Sequence, residues 1–157
     1  MATTIRPATE ADLDILVVMN EVVQRLHAQL YPDDFKSEQN FAEVRNFFAA
    51  TLKEPKTAIA VAEIAQKPVG YTIFETCSRP ENPFRPARSY IYIHQISVNP
   101  DARSQGIGGA LIRYVQEQAS AREIVEIDFD SWAANRQAHR FFEAHGFEAF
   151  NLVYRRR

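Results

Sequence analysis

The chain has 157 residues, with 46% hydrophobic and 24% charged side chains and a formal net charge of −2. That is enough material for one domain over residues 1–157 with its own core, and the charge argues against a general polyanion-binding surface while leaving room for a local basic patch. A single cysteine, Cys77, excludes an internal disulfide and fits a reducing compartment.

The opening stretch MATTIRPATEADLDILVVMN carries Arg6, Glu10, Asp12 and Asp14, which leaves no apolar core for a signal peptide. No run of about 18 apolar residues follows anywhere, so no membrane span is expected. These features point to a cytoplasmic enzyme or binding module without nucleic-acid or membrane partners.

A first strand is expected over Thr3 to Arg6. Thr9, with Asp12 three residues on, reads as a helix cap. Leu13, Leu16, Val17, Val23, Leu26, His27 and Leu30 follow at helical spacing. Tyr31 to Phe35, YPDDF, breaks that helix, and Ser37 starts a second one with Phe41, Val44, Phe48 and Leu52 on one face. TAIAVAEIAQKPVGYTIFET reads as a hairpin turning at Gln66-Lys67-Pro68. CSRPENPFRPARS is rich in proline and reads as a loop. Tyr90 to Val98, YIYIHQISV, is a strand of high β propensity, ended by Asn99-Pro100. Ile107, Ala110, Leu111, Tyr114, Val115 and Gln118 mark the next helix. EIVEIDFDS is a strand, ANRQAHRFFEAHGF a short helix closed by Gly146, and FEAFNLVYRRR a final strand with a basic end. The expected fold is α/β with a mixed sheet and helices on its faces, and the order β-α-α-β-β-β-α-β-α-β excludes strict alternation.

Three of the five glycines fall within Arg103 to Ile112, RSQGIGGALI, between a strand and a helix. A Walker A loop needs Lys-Ser/Thr after its last glycine, but Ala110-Leu111 stands there. A dinucleotide fingerprint needs a third glycine where Leu111 stands. The pattern that fits is Arg/Gln-x-x-Gly-x-Gly/Ala, here Arg103-Ser104-Gln105-Gly106-Ile107-Gly108. A helix start has unpaired N–H groups and partial positive charge, and glycines let a diphosphate approach them. Arg103 adds a charge-assisted hydrogen bond. A glycine-rich turn without a ligand is the competing reading of these six residues. Gly109 is outside the pattern, and close helix packing is expected to explain it.

IHQISVNPDARSQGIGGALIRYVQEQA resembles the cofactor-binding motif of the Gcn5-related N-acetyltransferase (GNAT) superfamily. NRQAHRFFEAHGF, about 30 residues later, is similar to its Asn-x-x-Ala-x-x-Phe-Tyr-x-x-x-Gly-Phe motif. The order of elements matches over nearly the whole chain. The resemblance implies a GNAT-like fold and transfer of an acyl group, most often acetyl, from acetyl-CoA to an amine. It implies that Arg103, Ser104, Gln105, Gly106, Ile107, Gly108 and Gly109 surround the CoA pyrophosphate. It places the backbone of Ile96, Ser97 and Val98 along the pantetheine arm, with an N–H there as oxyanion donor. Asn135 is implied near the pantetheine, and Arg140 near the phosphates. A homodimer is among the assemblies the resemblance allows. No metal is called for.

Direct transfer needs a neutral amine, so a base must take the proton of the ammonium. Many family members carry a Glu nine residues before the Arg/Gln of the loop. Here that position is His94, and histidine ordinarily titrates near pH 6.5. The alternative is a sheet histidine turned away from the site. The family's usual proton donor to the thiolate is the Tyr of its Phe-Tyr pair, but Phe142 stands in its place. His139, Tyr154 and Tyr92 are the substitutes by residue type, and solvent is another. Cys77 reads as a small buried hydrophobe, not a nucleophile.

In this fold the first two helices and their loop usually build the acceptor pocket, which here offers His27, Tyr31 and Phe35. His27 lies on the apolar face, where a core role competes. Asp33 and Asp34 are read as solvated turn carboxylates, and the terminal arginines as solvated. Phe84, in the proline-rich loop, is a further acceptor candidate. The leading function is an acetyl-CoA-dependent N-acetyltransferase acting on a small-molecule or peptide amine in a ternary complex. Phe142 keeps open a non-catalytic acyl-CoA sensor. The amine itself is not encoded in any motif.

Overall fold

The computed structural model describes residues 2–157. Five strands form one sheet in the order β1 (Thr3–Pro7), β2 (Thr57–Ile64), β3 (Lys67–Arg79), β4 (Arg88–Val98) and β5 (Ile127–Phe129). The first four are antiparallel neighbours, and β4 and β5 run parallel. α1 (Leu13–Leu30) and α2 (Phe41–Lys53) cover one face. There Leu16, Met19 and Phe48 bury against Val61, Tyr71 and Ile73. α3 (Ile107–Ala121) and α4 (Arg136–Ala144) cover the other, where Ile112, Val115 and Phe142 meet Ile91 and Ile93. The strand period of two sends alternate residues of β3 and β4 into these two cores.

Thr9 begins a short 3-10 turn over Glu10–Asp12 that leads into α1. The Thr9 amide donates to Asp12 Oδ2 at 2.8 Å, and the Arg6 guanidinium donates to both Asp12 oxygens at 2.8 Å. These bonds, Arg6 first, hold the nearly buried Asp12 carboxyl below the usual carboxylate range. A carboxyl whose pKa is lowered by folding stabilises the fold above its unfolded value, about 3.9 for Asp. That contribution disappears as pH falls through the lower folded value. Between pH 5 and 3, the melting temperature of the wild type is therefore expected to fall more steeply than that of Asp12→Asn. Parallel curves would show that the pair carries no acid sensitivity.

Several boundaries differ from the sequence reading. The β2–β3 hairpin turns on Ala65 and Gln66, both at positive φ (49° and 62°), as a tight primed turn requires, and not on Gln66-Lys67-Pro68. Pro68 falls inside β3, where the register with β2 skips Val69; a bulge tolerates a residue without an N–H. α2 starts at Phe41, because the Asn40 side chain, and not Ser37, accepts from the Glu43 amide at 3.0 Å. Cys77 to Arg79 extend β3 and Arg88 already belongs to β4, so the loop is shorter than its prolines suggest. EIVEIDFDS contributes only three strand residues.

The expected final strand does not form. Residues 147–157 have no strand partner. Phe150, Leu152, Val153 and Tyr154 are exposed. Arg155 instead donates to Asp34 at 2.7 and 2.9 Å, and Arg157 to Asp33 at 3.0 Å. Strand propensity without a paired neighbour makes no strand, and these ion pairs tie the tail to the α1–α2 loop. Asp33, Asp34, Arg155 and Arg157 are therefore paired and not simply solvated.

Candidate active site

β4 and β5 pair only through Ile91–Ile127, Tyr92–Asp128 and Ile93–Phe129. Past that point the strands part, and β4 continues to Val98 with its β5-side flank free. The side chains of Ile96 and Val98 pack into the core on the α3 side, and Ser97 is buried. What these three residues offer the gap is backbone. Gly70 sits opposite Val98 in β3, where a Cβ would lie 2.7 Å from the Ser97 carbonyl oxygen. Gly70 lies against the β3-side edge of β4, the edge opposite the free flank, and a larger residue there would push on the strand itself, a constraint no sequence motif announced.

Val98 leads through a 3-10 turn at Pro100–Ala102 into the glycine stretch. Ser104 and Gly106 both lie in the left-handed region, at φ 64° and 76°. Gly106 is the N-cap of α3, a conformation glycine adopts without strain. The amides from Ser104 to Gly109 have no backbone acceptor, while the Ala110 amide already donates to Gly106. This is a concave run of free donors at a helix start, fit for an anionic diphosphate. The exposed Arg103 reaches back to donate to the Val98 carbonyl at 3.4 Å, so its cation sits between the free flank and the free amides. The residues present therefore fit CoA.

Gly108 has a second reason to be glycine. A Cβ there would lie 2.8 Å from the Phe141 ring, so α3 also needs it to pack on α4. At Gly109 a Cβ would lie 3.0 Å from His145 Nε2. Helix packing accounts for Gly109.

Asn135 caps α4, with its side-chain oxygen accepting from the Ala138 amide at 3.3 Å, which leaves its NH2 group for other contacts. His139 Nε2 lies 3.0 Å from the Trp132 carbonyl and holds the β5–α4 loop. Arg140 is exposed on α4. Phe142 is buried and stacks on Phe129 with ring centroids 3.5 Å apart. Its position belongs to the core, which explains a ring without a hydroxyl. Tyr154 is 86% exposed on the tail, among none of these groups.

His94 falls at a bulge. Ile73 of β3 pairs with Gln95 and Phe74 with Ile93, so His94 is the extra residue. Its ring is part-exposed, with Nε2 2.7 Å from Glu75 Oε2. The Tyr92 ring meets it edge-on, centroids 4.8 Å apart. The Tyr92 hydroxyl donates to Asp130 just beyond β5. Burial, and then Asp130, raise the Tyr92 pKa, so its proton stays committed to that carboxylate. Next to the bulge, the buried Tyr71 hydroxyl donates to Gln95 Oε1 at 2.8 Å and accepts from Asn20 Nδ2 at 2.9 Å. This triangle pins α1 to β3 and β4. Glu75, Gln95 and Asp130 were not singled out in the sequence, because their partners lie on other strands; Tyr92 was, as a proton donor to the thiolate, and its hydroxyl is held by Asp130 instead.

His27, Tyr31 and Phe35 do converge, around Trp132. His27 stacks on Phe35 at 4.8 Å, and Trp132 contacts Tyr31 and Phe35 at 4.7 and 4.9 Å. The Tyr31 hydroxyl accepts from the Ala134 amide at 2.7 Å. Burial lowers the His27 pKa and keeps the ring neutral. Phe84 does not join them; it is 92% exposed in the β3–β4 loop. Burial and Glu75 raise the pKa of the part-buried Cys77 thiol, contrary to what a nucleophile needs. Among the described residues no group of three or more His, Cys, Asp or Glu is placed to hold a metal, and no helix is long and apolar enough to cross a membrane.

Comparison with known proteins agrees with this geometry. An uncharacterised N-acetyltransferase of Methanocaldococcus jannaschii is 32% identical over 154 residues. The match takes in 96% of this chain and 62% of that protein, so the chain spans less than two thirds of that relative. A Bacillus halodurans protein solved as a tetramutant has a TM-score of 0.91 at 22% identity, covering 98% of this chain and 99% of that one. An aminoglycoside N-acetyltransferase solved in complex with CoA has a TM-score of 0.76 at 18% identity, covering 99% and 94%. At these identities the structures establish a shared fold. The model of the Acetyltransferase (GNAT) family matches residues 21–147, and with the parted β4–β5 edge and the free amides at the start of α3, the chain belongs to that family.

Proposed function

We propose that residues 1–157 form a single N-acetyltransferase domain that transfers an acetyl group from acetyl-CoA to a primary amine of a small molecule or peptide, in the cytoplasm. The observation that carries this reading is the continuity of the free β4 flank, Arg103 and the unpaired amides from Ser104 to Gly109.

Arg103 and the amides hold the pyrophosphate of CoA. The backbone of Ile96 to Val98 lines the pantetheine arm, with Asn135 near that arm and Arg140 near the phosphates. Acetyl-CoA supplies the acetyl group as a thioester. The cluster of His27, Tyr31, Phe35 and Trp132 forms a wall of the acceptor side. An amine of the lysine type is protonated at neutral pH, with an ordinary pKa of about 10.4, and needs a base before it is a nucleophile. His94 takes that proton. Solvent serves as the final acid, since Phe142 has no proton to give, His139 is tied to Trp132 and Tyr154 sits on the exposed tail.

The test combines binding with turnover. At about 100 times its Kd, acetyl-CoA is expected to stabilise the fold by about 2.7 kcal/mol, a rise of roughly 5–10 °C in melting temperature. Arg103→Ala is expected to weaken that binding about tenfold, the loss of one charge-assisted hydrogen bond. Release of CoA thiol is then followed across polyamines, aminoglycosides, amino acids and peptide N-termini. No thermal shift would refute the reading. A shift without thiol release on any amine would favour a binding module instead.

A further inference from the structure

An imidazole acts as a base through one nitrogen at a time, and the partner of the other nitrogen decides which. His94 Nε2 lies 2.7 Å from Glu75 Oε2. A carboxylate only accepts, so Nε2 carries the hydrogen and the lone pair sits on Nδ1. The contact depends on the sheet. Glu75 pairs with Tyr92 across β3 and β4, and His94 follows at the bulge. Alternation puts Glu75 on the same face as Tyr71 and Ile73, which pack under α1 and α2. The Tyr92 ring, edge-on to His94, limits the ring plane, and Asp130 in turn accepts from the Tyr92 hydroxyl. Groups on β3 and β4 and just beyond β5 thus hold one side chain of β4.

We propose that Glu75 is a positioning residue that keeps His94 in the Nε2–H tautomer, with Tyr92 and Asp130 steadying the ring, so that Nδ1 is the nitrogen that takes the acceptor's proton. This rests on His94 acting as the base. In the step, an N–H bond of the acceptor ammonium breaks. Its electron pair stays on the amine as the lone pair, and the proton moves to Nδ1. The imidazolium so formed keeps its Nε2 hydrogen toward the Glu75 carboxylate, which balances the new charge.

Both members of the pair are part-exposed, His94 at 42% and Glu75 at 35%, and such pairs add little to folding stability. The effect of losing Glu75 therefore belongs in kcat and not in melting temperature. Glu75→Gln is expected to lower kcat about tenfold, less than the roughly 10⁴ seen when a buried triad carboxylate is neutralised. The KM for acetyl-CoA stays unchanged, and Glu75→Asp recovers part of the rate. The second readout is the ¹⁵N spectrum of the His94 ring above its titration. The wild type is expected to show a protonated Nε2 and a bare Nδ1, and Glu75→Gln a mixture of tautomers. A bare Nε2 in the wild type, or a kcat in Glu75→Gln within twofold of wild type while His94→Gln is impaired, overturns the inference alone. Full activity in His94→Gln overturns the base assignment and this inference with it.

Discussion

Replacing His94 by Gln is expected to lower kcat by about 10²- to 10⁴-fold, the range for loss of a positioned general base. The KM for acetyl-CoA and the melting temperature are expected to stay close to wild type. His94 sits at a bulge of β4, its ring part-exposed, and belongs to none of the three apolar clusters. Glutamine keeps a donor to offer Glu75 but has no basic nitrogen. The wild-type rate should fall as pH drops and the imidazole becomes protonated, and that limb should vanish in the variant. The measurement is thiol release against pH with the best acceptor of the amine panel. A variant that retains a tenth or more of the wild-type kcat with the acid limb intact would assign the proton to another group.

Gly70→Val is expected to destabilise the protein by about 3 kcal/mol, the upper part of the usual range for overpacking. For a chain of this size that corresponds to a drop of roughly 6–12 °C in melting temperature. The cause is backbone against side chain. A Cβ on Gly70 would lie 2.7 Å from the Ser97 carbonyl oxygen, 3.4 Å from Val98 Cα and 3.5 Å from a methyl of Ile107. Neither the carbonyl nor the Cα can turn aside as a side chain would. The strand must shift, and Ser97 and Val98 are the residues whose free flank faces the gap beyond β5. Acetyl-CoA binding should weaken along with stability. Urea denaturation and the acetyl-CoA thermal shift read the two effects. A Gly70→Val protein with unchanged midpoint and unchanged thermal shift would show that β4 yields freely at this point.

The helices, the hairpin and the β4 strand were legible because local patterns specify them. Leu13, Leu16 and Val17 repeat at helical spacing and are buried together on α1. The glycine stretch was legible for the same reason: a left-handed residue and free amides at a helix start are properties of a few consecutive residues. FEAFNLVYRRR shows the limit. Its composition favours a strand, but strands exist only in pairs, and in this chain Arg155 and Arg157 bind Asp33 and Asp34 from 121 to 124 residues away. Phe142 was equally ambiguous. A missing hydroxyl raises the question of lost chemistry, and only the stack on Phe129 reveals a core position.

By itself, the sequence determined the order of elements as far as α4, the glycine-rich turn at the start of α3 and His94 as the histidine upstream of it, because each depends on spacing along the chain. The tertiary structure decided which groups surround that histidine. Glu75 and Tyr92 are 17 residues apart in number yet paired in register, and Asp130 reaches Tyr92 from beyond a parallel strand 38 residues away. Hydrogen bonds across a sheet join residues through register, and register follows from which faces are buried and where a bulge inserts one extra residue.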